Sequence, residues 1–104
     1  MKTRPKPRSP RQNERDLANL AAALAALPDA GAVATFLRDL CTPAELEAMA
    51  DRWKVVPRIT AGMPYREIHE ATGVSVTTVG RVARTLAGGS GGYAAALRAQ
   101  DAAR

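Results

Sequence analysis

The chain has 104 residues, of which 46% are hydrophobic and only 4% aromatic, and its formal net charge is +5. This length fits one compact domain, and an alanine-rich composition with few aromatic residues favours helices over a β-sandwich or barrel. One histidine and one cysteine exclude a disulfide framework and any zinc site built from several such ligands within one chain. The same shortage leaves no set of nucleophile, base and orienting group, so we expect neither an enzyme nor a metal or cofactor.

Membrane insertion and export are not expected either. The longest apolar stretch, Leu20 to Pro28, is far shorter than the roughly 20 residues that cross a bilayer. The basic N-terminus has no apolar segment directly behind it, unlike a secretory signal. We therefore expect a cytoplasmic protein.

Positive charge is concentrated at the N-terminus, where no acidic residue precedes Glu14. Three prolines and no apolar periodicity accompany the basic residues, which are Lys2, Arg4, Lys6, Arg8 and Arg11. Such a segment is typical of disorder, so we expect a basic tail over residues 1–13 and a single helical domain over residues 14–104. The tail either adds affinity for phosphates, as DNA-binding arms do, or serves only as a solubilising terminus.

Two helices are predicted in the first forty residues. Residues 14–27 place leucines at a 3-4-3 spacing along one face, and Pro28 ends this helix. A helix with so many leucines and alanines is too apolar to stand alone in water, so it needs a partner helix, which a second chain can supply. A short helix follows over about residues 30–40.

A third helix begins with a clear N-terminal signal. Thr42 and Glu45 form a capping box, and Pro43 occupies the first helical position, where its missing N–H costs nothing. The helix is expected to run towards Ala61, with a kink or an early end at Pro57. Its predicted apolar face consists of Leu46, Met49, Ala50 and Trp53.

The last third of the chain contains the pattern of a helix-turn-helix, over about residues 64–87. A first short helix ends at the turn residue Gly73, and Ser75 caps a second helix. A glycine-rich joint then leads to a last helix over about residues 93–103.

The second helix of this pattern has the side chains that a DNA-reading helix requires. Short hydroxyl and methyl groups at its N-terminus can enter a major groove, and arginines further along can reach phosphates or guanine edges. No acid lies between Glu70 and Asp101, as a phosphate-facing surface requires. The residues expected to face double-stranded DNA are Arg66, Val76, Thr77, Thr78, Gly80, Arg81 and Arg84. The alternative is a plain helical hairpin with solvated threonines.

The residues from Thr42 to Trp53, the spacing to Tyr65-Arg66-Glu67-Ile68 and the stretch from Gly73 to Leu86 resemble the tryptophan-repressor family over about residues 30–100. Within that family, the runs Asp51 to Lys54, Pro64 to Ile68 and Gly91 to Tyr93 differ from the true repressor. The match is closest to its functionally unassigned branch of Trp-repressor-like proteins. The resemblance implies an all-α chain of about six helices that forms an intertwined homodimer. It also implies a regulator, expected to be a repressor, that binds a palindromic operator with half-sites about 34 Å apart. We therefore expect the protein to associate with the nucleoid.

The same resemblance implies an effector pocket. The two arginines that clamp the ligand fall on Arg52 and Arg81, and the threonine near its carboxylate falls on Thr42. Val82 stands where the family has a glycine that admits the indole ring, and Thr85 stands where it has a serine. We therefore expect that tryptophan is not the corepressor, while another effector, or none, remains open. The alternative role for Arg52 is an ion pair with a nearby acid.

Two other functions remain open. The domain can be a dimeric adaptor for protein partners, or a sequence-independent, nucleoid-type DNA binder driven by the basic tail. A steep loss of binding with salt distinguishes DNA binding from an apolar protein interface.

Four single residues are expected to have structural roles. Trp53 is expected to pack in the core, and Cys41 to be a small buried apolar group. His69 is expected to be exposed or to contact a phosphate, and Tyr93 to anchor the last helix.

Overall fold

The computed structural model describes residues 6–103, and over this range it contains six α-helices and no strand. The predicted all-α class and the number of helices are confirmed. The helices are α1 (Pro10–Ala25), α2 (Ala30–Leu40), α3 (Pro43–Thr60), α4 (Tyr65–Thr72), α5 (Val76–Gly88) and α6 (Gly92–Ala102). Among the described helices, none is long and apolar enough to cross a membrane.

The first helix begins earlier than the sequence analysis placed it. The Ser9 hydroxyl accepts a hydrogen bond from the backbone N–H of Gln12 at 3.1 Å, so α1 begins at Pro10 and not at residue 14. The Arg8 guanidinium, just before the helix, contacts the carboxylate of Asp16 on α1. The predicted tail over residues 1–13 is therefore helical from Pro10, and its residues 1–5 lie outside the described range.

The chain divides into two compact units, of which the first ends at Leu40 and the second begins at Cys41. The boundary lies within the range for which we predicted one domain, so the single-domain interpretation stays a prediction. The first unit contains α1 and α2, and neither helix has a buried residue. Leu17, in the predicted leucine stripe, is 58% exposed, and Leu40 is 51% exposed. Leu20, Leu24 and Leu27 of the same stripe are half-buried, so within the described chain the apolar faces of the first unit are only partly covered.

The core of the second unit lies where α3, α4 and α5 pack against one another. Its fully or almost fully buried side chains are Val55, Val56, Ile68, Val74, Val79 and Val82. Burial of a side chain of this size stabilises a fold by roughly 1.5–3 kcal/mol. Trp53 and Tyr93 pack against this core, with ring centroids 6.4 Å apart, so the predicted roles of Trp53 in packing and of Tyr93 as the anchor of α6 are confirmed.

The face of α3 that contacts the core differs from the predicted one. The sequence analysis placed Leu46, Met49, Ala50 and Trp53 inward, yet Met49 is 40% exposed and Ala50 is exposed. The buried residues of α3 are Val55 and Val56, because α4 and α5 pack against this helix and the valines belong to the resulting core. In the first half of α3, Leu46 is half-buried and Met49 is exposed, so the core of the second unit does not include this face.

Both ends of α3 follow from local chemistry. The Thr42 hydroxyl accepts from the Glu45 N–H at 3.2 Å, and the Glu45 carboxylate accepts from the Thr42 N–H at 2.7 Å, so the predicted capping box is confirmed. These hydrogen bonds from Thr42 lower the pKa of the Glu45 carboxyl. The predicted early end at Pro57 is wrong, since the helix continues to Thr60. Gly62, with φ 83°, ends it by donating its N–H to the Ile59 carbonyl.

Candidate nucleic-acid interface

A three-residue connection joins α4 to α5. Gly73 has φ 76°, a left-handed conformation that other residues adopt only with strain, and its N–H donates to the His69 carbonyl at 2.8 Å. Val74 turns into the core and is only 4% exposed. The Val74 N–H donates to the Thr72 hydroxyl at 3.1 Å. The connection is thus held both by its backbone conformation and by a buried apolar residue.

His69 has a structural role that the sequence analysis did not find. Its Nδ1 lies 2.8 Å from the Val74 carbonyl oxygen. A carbonyl only accepts hydrogen bonds, so Nδ1 carries the proton and donates. The imidazole therefore ties α4 to the residue that leads into α5.

The N-terminus of α5 is capped by Ser75 in the way the sequence predicts. The Ser75 hydroxyl oxygen accepts from the Thr78 N–H at 3.2 Å, and its proton is donated to Thr78 Oγ1 at 3.0 Å. The Thr78 hydroxyl thus accepts one bond from Ser75, and its own proton remains to be donated outward. No acidic residue lies in the first turn of α5, so the positive end of the helix dipole is not neutralised there.

Five of the seven residues predicted to face DNA are exposed. Arg66 on α4 and four residues of α5 are exposed, and Thr78 is half-buried. Those four residues are Val76, Thr77, Arg81 and Arg84. Gly80 is buried beneath the side chains of Tyr65 and Arg84 on this surface, and its predicted contact with DNA stays a prediction. Because it has no side chain, neighbouring side chains lie over its Cα, where a Cβ would be 3.4 Å from Nη1 of Arg84.

Tyr65 is a surface residue that the sequence analysis missed. It is the first residue of α4, it is 45% exposed, and its Cε2 lies 3.8 Å from the position of a Cβ on Gly80. Tyr65 and Arg84 therefore meet over the same point of α5. A glycine inside an otherwise regular helix often marks a close packing contact, and that was the signal available from the sequence.

The comparison with known families agrees with this architecture. The family model described as Trp repressor protein matches residues 15–101, which includes all or part of each of the six helices. The chain belongs to the Trp repressor family. This is a family of DNA-binding regulators and not of enzymes. The resemblance stated from the sequence is therefore confirmed.

A curated relative of this Trp repressor family chain has no assigned function. The chain is 39% identical over 62 residues to the uncharacterized protein YerC of Bacillus subtilis (strain 168). The aligned region covers 60% of this chain and 60% of that relative. The likeness agrees with the unassigned branch of the family that the sequence motifs resemble.

The five positions that correspond to the Trp repressor family's effector residues differ in burial: three are exposed, one is half-buried and one is buried. Thr42 is exposed and its hydroxyl is engaged in the α3 cap. Arg52 on α3 is half-buried, and Arg81 on α5 is exposed. Val82 is 1% exposed and forms part of the core. Thr85 is exposed and donates its hydroxyl proton to the Arg81 carbonyl at 3.1 Å.

The alternative structural role for Arg52 is not observed. Asp51 pairs with Lys54 at 3.3 Å, and within residues 6–103 Arg52 makes no ion pair. Its guanidinium is thus not neutralised by an acid in the described part of the chain.

Two cavities lie beside α6. One, of about 630 Å³, is lined by α3 and α6 and includes Trp53, Arg98 and Asp101. The other, of about 370 Å³, lies between the end of α5 and the start of α6 and includes Thr85 and Tyr93. Arg98 thus shares a groove with Asp101 and lies outside the surface formed by α4 and α5.

Across the described range, no three His, Cys, Asp or Glu side chains come close enough together to hold a metal ion.

Proposed function

We propose that this protein is a homodimeric, sequence-specific DNA-binding regulator that represses transcription by occluding an operator. The observation that carries the proposal is the N-terminus of α5, which is exposed, free of acids and rich in small hydroxyl and methyl groups. Val76 is 49% exposed and Thr77 is exposed beside it. A helix end of this kind enters the major groove, where methyl groups contact thymine and hydroxyls bond to base edges.

The geometry around α5 favours base reading over a plain helical hairpin. The α4–α5 connection is rigid, because Gly73, Val74 and His69 each fix it by a different interaction. A rigid connection holds the reading helix in one orientation, as sequence discrimination requires. The exposed cations Arg66, Arg81 and Arg84 flank this helix end and supply contacts to phosphates or guanine.

The homodimer is supported by the partly covered apolar faces of the first unit. Neither α1 nor α2 has a buried residue, although their leucines are spaced for helix packing. The family match includes most of α1 and all of α2, so these helices belong to the family's fold. A second copy supplies the missing partner helices, and its second reading helix then requires a palindrome with half-sites about 34 Å apart.

Binding without a corepressor is supported by Val82. This side chain is buried against its own core and fills the position where the family has a glycine. An indole ring there would clash with Val82, so tryptophan is not expected to raise either the thermal stability or the DNA affinity. The protein is then always competent to bind.

The deciding experiment is selection from a pool of random duplex DNA, with the purified protein and no added ligand. An enriched palindrome supports a specific dimeric regulator and supplies its operator. Binding at low salt without enrichment would instead support the nucleoid-type function, and no binding would favour the adaptor. Where binding is seen, its affinity is expected to fall steeply as salt rises, because it depends on phosphate contacts, whereas an apolar protein interface would not weaken in this way.

A variant pair then tests the assigned reading helix. Replacing Thr77 and Thr78 with Glu is expected to abolish binding to the selected duplex, because the carboxylates would face bases and phosphates. Ala87→Glu is the matched control, since Ala87 is exposed at the other end of the same helix. Circular dichroism verifies that each variant is folded. Equal losses in both proteins would mean that the charge acts non-specifically and that α5 does not read bases.

A further inference from the structure

Two hydrogen-bond donors from different helices meet at one point of the surface. A Cβ on Gly80 would lie 3.4 Å from Nη1 of Arg84 and 3.8 Å from Cε2 of Tyr65. Cε2 is bonded to the ring carbon that carries the hydroxyl, so the polar end of the tyrosine is the end that approaches Gly80. The guanidinium and the phenol are therefore neighbours above α5.

Neither donor is used within the described chain. Between residues 6 and 103, the Tyr65 hydroxyl and the Arg84 guanidinium make no hydrogen bond, and Arg84 makes no ion pair. Arg58, by contrast, donates its Nη1 to the Lys54 carbonyl at 2.8 Å. Tyr65 is 45% exposed and Arg84 is exposed, so both donors are open to a ligand from solvent.

We propose that Tyr65 and Arg84 together bind one backbone phosphate of the DNA, with Gly80 as the gap that lets them converge. The inference rests on the proposed function and adds Tyr65 as a contact residue. A guanidinium supplies up to two parallel N–H donors to a phosphate, and the phenol supplies one O–H donor. Gly80 leaves the space beneath them open, since a Cβ there would already be in van der Waals contact with both groups.

The placement assigns this phosphate a positioning role. Tyr65 begins α4 and Arg84 lies about two and a half helical turns from the cap of α5, so the contact ties both helices to the same strand. Contacts to phosphates fix the orientation of a protein on the duplex without reading sequence. Loss of the pair is therefore expected to weaken binding to all sequences about equally, and the selected palindrome stays the preferred site.

The test is a double-mutant cycle on the full chain, bound to the duplex selected from the random pool. Tyr65→Phe removes the hydroxyl alone and is expected to lower the affinity roughly fivefold, as the loss of one hydrogen bond does. Arg84→Gln is expected to lower it more and to reduce the slope of log affinity against log salt by about one. The double variant is expected to lose less than the product of the two single losses, because both groups hold one phosphate.

Two kinds of control show whether a loss of affinity is specific to the Tyr65 and Arg84 contact. Tyr93→Phe and Arg98→Gln make the same chemical changes on α6, away from the α4–α5 surface, and are expected to leave the affinity and the salt slope unchanged. Neutral methylphosphonate linkages, placed one at a time along the duplex, locate the phosphate. Among the linkages that weaken the native protein, one is expected to have no effect on the double variant.

The results distinguish this inference from the proposed function. If the native protein selects a duplex and the Thr77 and Thr78 variant loses it, the regulator is supported whatever Tyr65 does. The inference is overturned if Tyr65→Phe binds like the native protein, or if the two single losses multiply in the double variant. If the native protein binds no DNA, the proposed function and this inference both fail.

Discussion

The Nδ1 atom of His69 donates a hydrogen bond to the carbonyl oxygen of Val74, 2.8 Å away. This contact joins the body of α4 to the residue whose side chain enters the core just before α5. His69 therefore stabilises the relative placement of two helices. This structural role explains the histidine without catalysis or metal binding.

His69→Ala is expected to lower the free energy of unfolding by about 1 kcal/mol, because one hydrogen bond at the α4–α5 connection is lost. Urea denaturation followed by circular dichroism measures the change. Glu70→Ala is the matched control, since Glu70 is the exposed next residue on the same helix. Equal effects of the two substitutions would show that the imidazole contact contributes nothing to stability.

Gly73→Ala is expected to destabilise the protein by roughly 1–2 kcal/mol, because an alanine at φ 76° brings its Cβ too close to a carbonyl oxygen. The space around Gly73 is open, so the cost is conformational and not a clash with a neighbour. Gly88→Ala provides the comparison: Gly88 lies in α5 with equal space around it, and alanine there is expected to be neutral or stabilising. Thermal unfolding of both variants tests the pair, and a Gly73 variant as stable as the Gly88 variant would contradict the backbone argument.

Glu45 gives the stability a defined dependence on pH. Hydrogen bonds from Thr42 lower the pKa of its carboxyl in the folded protein, so the folded state favours the ionised form over the unfolded state. The stabilisation is fully present above the ordinary glutamate pKa of about 4.3 and is lost as the pH falls through the lower, folded value.

Comparison with Glu45→Gln isolates this contribution. Urea midpoints measured from pH 7 down to about pH 3 are expected to show the native protein losing its advantage over the variant at the acidic end. The variant retains a side-chain oxygen for the capping box but does not titrate. A stability difference that stays constant over this range would mean that the carboxylate charge has no part in the cap.

Leu17→Glu is expected to convert a dimer to a monomer, because Leu17 is 58% exposed on the apolar face of α1 that we assign to the second copy. A carboxylate buried in such an interface costs several kcal/mol. Sedimentation velocity measures the oligomeric state of the native chain and the variant. Asn19→Glu is the control on the polar side of the same helix, and it is expected to stay dimeric. A native protein that sediments as a monomer would overturn the assignment.

Sequence reasoning succeeded where the signal is local. The ends of α3 follow from Thr42, Glu45 and Gly62, whose side-chain and backbone preferences act within a few residues. The cap of α5 at Ser75 and the turn at Gly73 follow for the same reason. The start of α1 was misplaced because Ser9 was taken for part of a disordered tail, although it is itself a good N-cap before a proline.

Periodicity was less informative about which apolar face is covered. Met49 and Ala50 share a helical stripe with Trp53, yet in the chain described here they are exposed while Val55 and Val56 are buried. A stripe shows which side of a helix is apolar, and the position of α4 and α5 along α3 determines which part of that side is covered. The burial of Gly80 is likewise not predictable from the sequence, because nothing in its spacing indicates that Tyr65 and Arg84 lie over it.

The sequence by itself determined the helices, their caps, the α4–α5 connection and the family, since each depends on residue type at short separation. The tertiary structure alone decided three matters: that Gly80 lies beneath Tyr65 and Arg84, that His69 bonds to Val74, and that Val82 belongs to the core. These relationships depend on how helices pack in space. Packing is set by the combined shapes of many side chains, which no single spacing in the sequence encodes.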